Sequence, residues 1–368
     1  MKVNDLLYSI TEKLELSQTQ LDRIEKSYNA VGNWLNESYE ISKYGKILIF
    51  PQGSVGLGTV VKPIDKDYDI DLVIRLDNKN ITAEILKKLV GKRLQENDIY
   101  KNMLDKEGKR CWTLIYSDSL NYHMDILPTK IDSNPVSYNG IPSIQATNKD
   151  EHGIYSFKST NPSGYLNWFL SKAGRIQLRD SFEIKPLNQY PLKNVLQKIV
   201  QLLKRHRDVY FYKRKIKEDL PISIIITTLA ARAYNGENDL FEGLKNVSMK
   251  MNDYIVKNNG INYIVNPVDS KENFAERWNS SNNKEKNYYL WNDQLNKDLN
   301  RIEKASFVEL ASLLKGCFGE TVVNSVYDSI GERFKASRET GTLRMNIETG
   351  TLNEEKGEVV KPHTFYGK

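Results

Sequence analysis

Two aspartates separated by one residue, Asp69 and Asp71, lie inside the apolar run "YDIDLVIRL". Alternate residues of a β-strand point to the same face, so this spacing predicts two adjacent carboxylates, with Ile70 and Leu72 on the opposite face. Carboxylates held close together repel each other and lose hydration, which is costly unless a cation lies between them. Oxygen ligands of this kind suit Mg²⁺, with Mn²⁺ as an alternative ion.

A third acid, Asp125, lies in the apolar segment "NYHMDILP", which reads as a second strand ended by a proline. On a neighbouring strand it would complete a site for two metal ions. Such a site activates an attacking hydroxyl and stabilises a leaving pyrophosphate in an in-line displacement. A D-x-D pair alone is more often a solvated strand edge, so the prediction depends on the combination of features.

The turn Gly53–Ser54 follows a strand predicted over residues 45–53. Backbone N–H groups in such a turn, helped by the serine hydroxyl, can hold phosphate oxygens, and glycine lets a nucleotide approach the backbone. A Gly-Ser pair alone usually marks only a turn. A strand, this turn, the D-x-D strand and a further aspartate strand, in that order, together predict a nucleotidyltransferase.

The composition is consistent with this chemistry, and it limits which other classes of protein the chain can belong to. The chain has 368 residues, 39% hydrophobic, and a net charge of +6, which suits polyanionic substrates without establishing nucleic-acid binding. Two distant cysteines, Cys111 and Cys317, exclude a disulfide scaffold and a cysteine-rich zinc site, and they fit a reducing compartment. Without a signal-peptide pattern or a membrane-length apolar run, we predict a cytoplasmic protein that does not contact membranes.

Hydrophobic periodicity predicts the elements that position these residues. Helices are predicted over 3–38, with Ser17 as a cap, and over 81–97, and "RCWTLIYS" and "NYHMDILP" are predicted strands. Residues 129–164, rich in Ser, Asn, Pro and Gly, are predicted to be loop. The later part is predicted to be mainly helical, over 161–174, 191–211, 220–234, 239–257, 287–303 and 306–328, with a polar tail, 336–368, that is mobile or packed as an extended arm.

The segments "QGSVGLGTVVKP", "YDIDLVIRL" and "MDILP" resemble the DNA polymerase β-like nucleotidyltransferase superfamily. Within it, "TNPSGYLNWF", "VQLLKRHRDVYF", "LPISIIITTLAARAY" and "VNPVDSKENFAERW" are similar to the bacterial cGAS/DncV-like nucleotidyltransferases, the CD-NTases of CBASS anti-phage defence. The resemblance implies an α+β fold with two lobes and an active site in the cleft between them. The domains would be 1–160, a nucleotidyltransferase lobe with N-terminal helices, 161–335, a helical nucleotide-binding lobe, and 336–368, the tail.

The resemblance also implies roles for individual residues. Asp69, Asp71 and Asp125 would be the catalytic and metal-binding triad, and Asp125 would help to activate the acceptor hydroxyl. The other expected nucleotide contacts are Gln52, Gly53, Ser54, Lys204 and Ser223. For Lys204 a solvated helix end is the alternative, and for Ser223 a capping role is compatible with phosphate binding.

The segment 193–217 carries nine lysines and arginines, for which we predict a solvated helix face and a charged loop rather than a nucleic-acid-binding strip. The zinc insertion of metazoan cGAS is absent, so direct DNA sensing by that device is not expected. Tyr165, Trp168 and Tyr234 could stack on a base, and core packing is the alternative for each.

The function that follows is a metal-dependent enzyme that joins nucleoside triphosphates, ATP or GTP among them, into a cyclic di- or trinucleotide. The resemblance implies that this product activates a separate effector. One alternative is a linear product, as made by oligoadenylate synthases, or transfer of nucleotides to RNA or protein. Another is a non-catalytic nucleotide-binding protein, which the three intact acids disfavour.

Overall fold

A computed structural model describes residues 2–64, 68–117, 122–174, 193–280, 282–348 and 350–360. The chain divides into two compact units. One spans residues 15–296, and the other combines the chain up to Leu14 with the chain from Lys297 onward. The division into lobes at 160/161 and 335/336 stays a prediction.

In the described residues the α-helices are α1 (Val3–Leu14), α2 (Gln18–Asn36), α3 (Tyr39–Ser42), α4 (Gly53–Leu57), α5 (Ala83–Gln95), α6 (Asp98–Met103), α7 (Pro162–Lys172), α8 (Val195–Lys213), α9 (Ser223–Ala233), α10 (Leu240–Lys250), α11 (Asn282–Lys304), α12 (Phe307–Phe318) and α13 (Glu320–Glu339). The strands are β1 (Ile47–Gln52), β2 (Tyr68–Leu76), β3 (Trp112–Tyr116), β4 (Tyr122–Ile131), β5 (Ser137–Tyr138), β6 (Ile141–Pro142), β7 (Ile144–Lys149), β8 (Tyr155–Thr160), β9 (Val256–Asn258), β10 (Ile261–Tyr263), β11 (Val265–Asn266), β12 (Asp269–Asn273), β13 (Arg344–Met345), β14 (Leu352–Asn353) and β15 (Glu358–Val359).

A mixed six-stranded sheet forms the centre of the larger unit, in the order β1-β2-β4-β7-β8 with β3 also paired to β4. Strands β2 and β4 run parallel, and the other pairs are antiparallel. The first half of β4 pairs with β3 and its last three residues pair with β7. The parallel pair therefore lies inside the sheet, where its residues are held from both sides.

Strand β2 buries one face along its length, and the other face carries Asp69, Asp71 and Arg75 together with the buried Val73. Ile70, Leu72, Ile74 and Leu76 are fully buried in a core that also contains side chains of α2 and α5. Each such side chain contributes roughly 1.5–3 kcal/mol when it is buried. A register slip of one residue would turn the aspartates into this core, so the apolar face fixes which way they point.

Local capping explains where two predicted helices begin. Ser17 and Gln20 form a reciprocal capping box at the start of α2, as the sequence predicts. The Asn161 side chain accepts a hydrogen bond from Gly164 N at 2.8 Å, and Pro162 occupies the first turn of α7. Proline suits that turn because its missing N–H would have no helical partner there.

Three predictions about regular structure were wrong. The segment 129–164 is not loop: β4 continues to Ile131 and β5–β8 follow, because ladder hydrogen bonds in a sheet compensate for weak strand formers. The helix predicted over 306–328 is interrupted at Gly319, whose φ is +94°. The tail is not a single extended arm up to residue 360: α13 reaches Glu339, and β13–β15 form a three-stranded sheet. Residues 361–368 lie outside the described part.

A buried lysine ties α5 to the segment that enters β3. Lys87 is fully buried, and its Nζ donates to the carbonyl oxygens of Gly108 at 3.0 Å and Cys111 at 3.3 Å. Burial lowers the pKa of Lys87 to about 8. The two hydrogen bonds hold the backbone on either side of Lys109 and Arg110.

Lys87→Met is expected to destabilise the chain by about 1–3 kcal/mol, because two partly buried carbonyls lose their donor. The pKa of Lys87 is lower in the folded chain than its ordinary value of 10.5, so the wild type gains stability as pH rises through that interval. In chemical denaturation, the free energy of unfolding of Lys87→Met should therefore fall further below that of the wild type near pH 9 than near pH 7. Exposed Lys88, paired with Glu84, supplies the control, and Lys88→Met should leave the stability close to that of the wild type.

Candidate active site

Three aspartates meet on one face of the central sheet. Asp69 and Asp71 alternate along β2, and Asp71 is the register partner of Asp125 on the parallel strand β4. Adjacent strands are about 4.8 Å apart, so these carboxylates are close neighbours. The structure thus brings together the three acids that the sequence selected.

The electrostatics of this cluster are unfavourable without a counter-ion. Burial, and after it the carboxylates of Asp125 and Asp69, raises the pKa of Asp71 to about 7. Burial, with the charges of Asp125 and Asp71, also raises the pKa of Cys111 to about 12. The donor set contains only carboxylate oxygens, and the repulsion within it is what a bound cation would relieve. These residues therefore fit a hard divalent cation.

Asp125 is oriented by a neighbour on β3. Its Oδ1 accepts a hydrogen bond from Thr113 Oγ1 at 2.6 Å, and Thr113 is its register partner across the β3–β4 pair. The hydroxyl fixes one carboxylate oxygen, which leaves the other oxygen available to a ligand. Thr113 was not selected from the sequence, although its position in "RCWTLIYS" could have identified it once the strand pairing was known.

Gly53 makes room for Asp71. Its φ is +63°, and a Cβ placed on it would lie 1.8 Å from Asp71 Oδ2, so no other residue fits without displacing the carboxylate. Glycine here therefore has two reasons: the expected approach of a nucleotide to the backbone, and the space that the Asp71 carboxylate occupies. Gln52 pairs with Asp71 across the β1–β2 ladder, and Ser54 is the second residue of α4. The turn and the acids are therefore one structural unit.

Lys204 is buried, with 5% of its surface exposed, so the solvated helix end was the wrong alternative. Its Nζ donates to Thr59 O at 3.1 Å and to Thr59 Oγ1 at 3.0 Å. Burial and the nearby Arg207 lower the pKa of Lys204 to about 7, against the opposing charges of Asp208 and Asp71. A cation in this position faces the acid cluster.

For the basic segment 193–217 we predicted a solvated helix face followed by a charged loop. The solvated face was wrong for α8, and the exposed loop after α8 was correct. Lys198 and Arg205 are buried as well as Lys204, while residues 213–218 are exposed. Hydrogen bonds to Lys62 O and Thr59 compensate for burial of Arg205 and Lys204. Lys198, Lys204 and Arg205 of α8 therefore point into the interior of the protein and not into solvent.

Ser223 is the first residue of α9, and Ile222 occupies the cap position, so Ser223 does not cap the helix. Its Oγ accepts a hydrogen bond from Arg207 Nη1 at 3.1 Å, and the same nitrogen donates to Pro221 O at 3.0 Å. Arg207 also pairs with Asp208 at 2.7 Å. Arg207 was not selected from the sequence, although it follows Lys204 by three residues and so lies on the same helix face.

A cleft of about 1550 Å³ contains all eight predicted site residues. They are Gln52, Gly53, Ser54, Asp69, Asp71, Asp125, Lys204 and Ser223. The acids come from the sheet and the last two residues from α8 and α9, so the cleft runs between these elements of the larger unit. Its volume is ample for nucleotide-sized ligands.

Of the three aromatic residues considered for base stacking, two are packed in the core, and one of these two, Tyr165, also lines the cleft. Tyr165 and Trp168 are buried, with ring centroids 5.3 Å apart, and Tyr165 OH is 2.8 Å from Thr228 Oγ1. Tyr234 OH donates to Glu237 O at 2.8 Å. Core packing accounts for the first two, and a local hydrogen bond orients the third.

Comparison with known proteins identifies the family. The family model described as "Second Messenger Oligonucleotide or Dinucleotide Synthetase domain" matches residues 1–172. The chain is 31% identical, over 380 residues, to the c-di-GMP synthase of Roseivirga ehrenbergii, covering 100% of this chain and 97% of that protein. The chain belongs to the bacterial CD-NTase family. This CD-NTase is accordingly a nucleotidyltransferase that makes cyclic oligonucleotides, and family membership implies a role in CBASS defence.

Solved structures confirm the α+β fold class predicted for this CD-NTase. The CdnG structure from Bradyrhizobium diazoefficiens in complex with GTP matches with a TM-score of 0.70 at 18% identity, covering 90% of this chain and 99% of that one. The 3'-deoxy GTP bound form of Escherichia coli DncV matches with a TM-score of 0.57 at 15% identity, covering 85% and 94%. Among the described residues, no helix combines the length and apolar character needed to cross a membrane.

Proposed function

We propose that this CD-NTase condenses two GTP molecules into cyclic di-GMP, with Mg²⁺ as the ion at the aspartate triad. The observation that carries the proposal is the acid cluster of Asp69, Asp71 and Asp125 in a cleft of nucleotide size. The choice of guanine rests on the Roseivirga relative, which bears the name c-di-GMP synthase and aligns over the whole chain.

In the proposed reaction a ribose hydroxyl of one GTP attacks the α-phosphorus of the other. A P–O bond forms, the bond to the β-phosphate breaks, and pyrophosphate leaves. A second attack, with the roles of the nucleotides exchanged, closes the ring and releases a second pyrophosphate. Mg²⁺ held by the three aspartates would neutralise phosphate charge and activate the attacking hydroxyl.

The remaining roles belong to side chains and backbone of the chain itself. Asp125, oriented by Thr113, would accept the proton of the attacking hydroxyl. Gln52, Gly53 and Ser54 would hold phosphate oxygens of the donor at the start of α4. Lys204 and Ser223 would contact the triphosphate from the helical side, and binding of phosphate would give the buried ammonium of Lys204 a partner of opposite charge.

A product assay tests the proposal. The full chain is incubated with all four ribonucleoside triphosphates and Mg²⁺ or Mn²⁺, treated with phosphatase and analysed by mass spectrometry, with a chelated sample alongside. We expect a phosphatase-resistant product with the mass of a cyclic di-guanylate, absent after chelation. Linear products would overturn ring closure, and a cyclic product with other bases would overturn the choice of guanine. The effector that such a product would activate is a separate protein.

A further inference from the structure

The cleft also contains an acidic side chain outside the aspartate triad, that of Glu272. Glu272 on β12 has 12% of its side-chain surface exposed. Its Oε2 accepts hydrogen bonds from Asn266 Nδ2 at 2.8 Å and Thr160 Oγ1 at 3.1 Å. These two donors fix the plane of the carboxylate, so its orientation is set before any ligand binds.

The other oxygen of Glu272 faces a cation without a direct hydrogen bond. Its Oε1 lies 3.8 Å from Arg110 Nη1, beyond hydrogen-bond distance. Both residues line the same cleft as the triad. An acceptor and a donor with this separation form an adjacent pair that a planar polar ligand can bridge.

The position of the pair suits the base of a bound nucleotide. Arg110 precedes Thr113 by three residues, and Thr113 is the register partner of Asp125. Arg110 lies before β3, and its neighbour Cys111 is close enough to Asp125 for the charge of that carboxylate to act on the thiol. A nucleotide reacting at Asp125 can therefore reach this pair with its base.

The pair matches a base edge that has N–H donors beside a carbonyl acceptor, of which guanine offers two donors and uracil one. Guanine presents two donors, the ring N1–H and the N2 amino group, beside the acceptor O6. Oε1 of Glu272 can accept from this donor edge, since Oε2 already accepts from Asn266 and Thr160, and the Arg110 guanidinium can donate to O6. Adenine and cytosine present an unprotonated ring nitrogen at the corresponding position, which would leave the carboxylate facing a second acceptor.

We propose that Glu272 and Arg110 select guanine for the nucleotide bound on the Asp125 side of the cleft. The inference rests on the proposed function and goes beyond it by naming the residues that set base preference. Glu272 acts on substrate choice and has no part in the chemical step. Replacing Glu272 should accordingly change the ratio of kcat/KM for GTP to kcat/KM for ATP more than it changes the overall rate of the reaction.

The test compares Glu272→Gln with the wild type. Glutamine has the same shape and keeps an oxygen for Thr160 and Asn266, so the fold should be retained, as thermal unfolding will verify. Its amide N–H can face the adenine ring nitrogen but opposes guanine N1–H. We expect the ratio of kcat/KM for GTP to that for ATP to fall about 10- to 100-fold, the range for one good pair of base contacts. Glu84→Gln is the matched control, since Glu84 is an exposed partner of Lys88 and does not line the cleft, and it should leave the ratio unchanged.

The outcomes separate this inference from the proposed function. A wild type that makes the guanine product, with an unaltered ratio in Glu272→Gln, overturns the inference alone. An equal loss for both nucleotides assigns Glu272 a structural role and also overturns it. A wild-type product without guanine overturns both proposals. If turnover is too slow to measure, calorimetric affinities for GTP and ATP replace kcat/KM, and the same shift in their ratio is required.

Discussion

Asp71→Asn is expected to slow pyrophosphate release by about 10³-fold or more while leaving the midpoint of thermal unfolding unchanged or higher. Asparagine has the same size, so it fits against Gly53 without a clash. It removes a carboxylate ligand and hence the activity. It also removes a charge that burial, Asp125 and Asp69 all disfavour, as the raised pKa of Asp71 shows. Loss of activity without loss of stability is the signature of an acid retained for function.

The matched control for this prediction is Asp77→Asn. Asp77 follows the last residue of the same strand and pairs with Arg75 at 3.0 Å, with 36% of its side chain exposed. This variant should keep activity close to that of the wild type. If Asp71→Asn unfolds at a clearly lower temperature than the wild type, Asp71 stabilises the fold, and repulsion within the acid cluster does not destabilise it.

Gly53→Ala is expected to lower the rate by about 10²-fold or more and to destabilise the chain by about 1–2 kcal/mol. The stability cost arises because alanine is strained at a φ of +63°. The activity cost arises because the new Cβ would overlap Asp71 Oδ2 and push the carboxylate out of place. A displacement of about 1 Å at a reacting group is enough for a loss of this size. Steady-state kinetics and chemical denaturation of the same preparations measure both effects.

Gly56→Ala provides the comparison within the same short helix. A Cβ at Gly56 would have Pro51 O as its nearest contact, at 3.7 Å, which is ordinary van der Waals distance. We expect this variant to fold and to react nearly as the wild type does. Equal activity of the two alanine variants would show that the position of Asp71 does not depend on Gly53.

The sequence was most informative where one element carries a complete local pattern. The alternation in "YDIDLVIRL" predicted both the buried face and the acidic face of β2, because side chains of a strand alternate whatever the rest of the fold does. The caps at Ser17 and Asn161 were similarly local, since each pairs with a residue three positions away.

The sequence was least informative where burial depends on distant partners. Residues 129–164 have the composition of a loop, yet β7 and β8 form there because they pair with each other and with β4. On α8, basic side chains that looked solvated are buried, because the backbone near Thr59 and Lys62 accepts their hydrogen bonds. In both cases the deciding contacts come from parts of the chain that a periodicity argument does not compare.

The sequence by itself determined the chemistry that the protein can perform: three acids on two apolar strands, after a glycine-serine turn, in the order of a nucleotidyltransferase. Only the tertiary structure decided that Asp71 pairs in register with Asp125, that Asp71 requires Gly53 beside it, and that Arg207 contacts Ser223. It also placed Glu272 beside Arg110. The physical reason is that residue types and spacing act through local geometry, whereas the free energy of a buried charge depends on groups that folding brings together from distant positions.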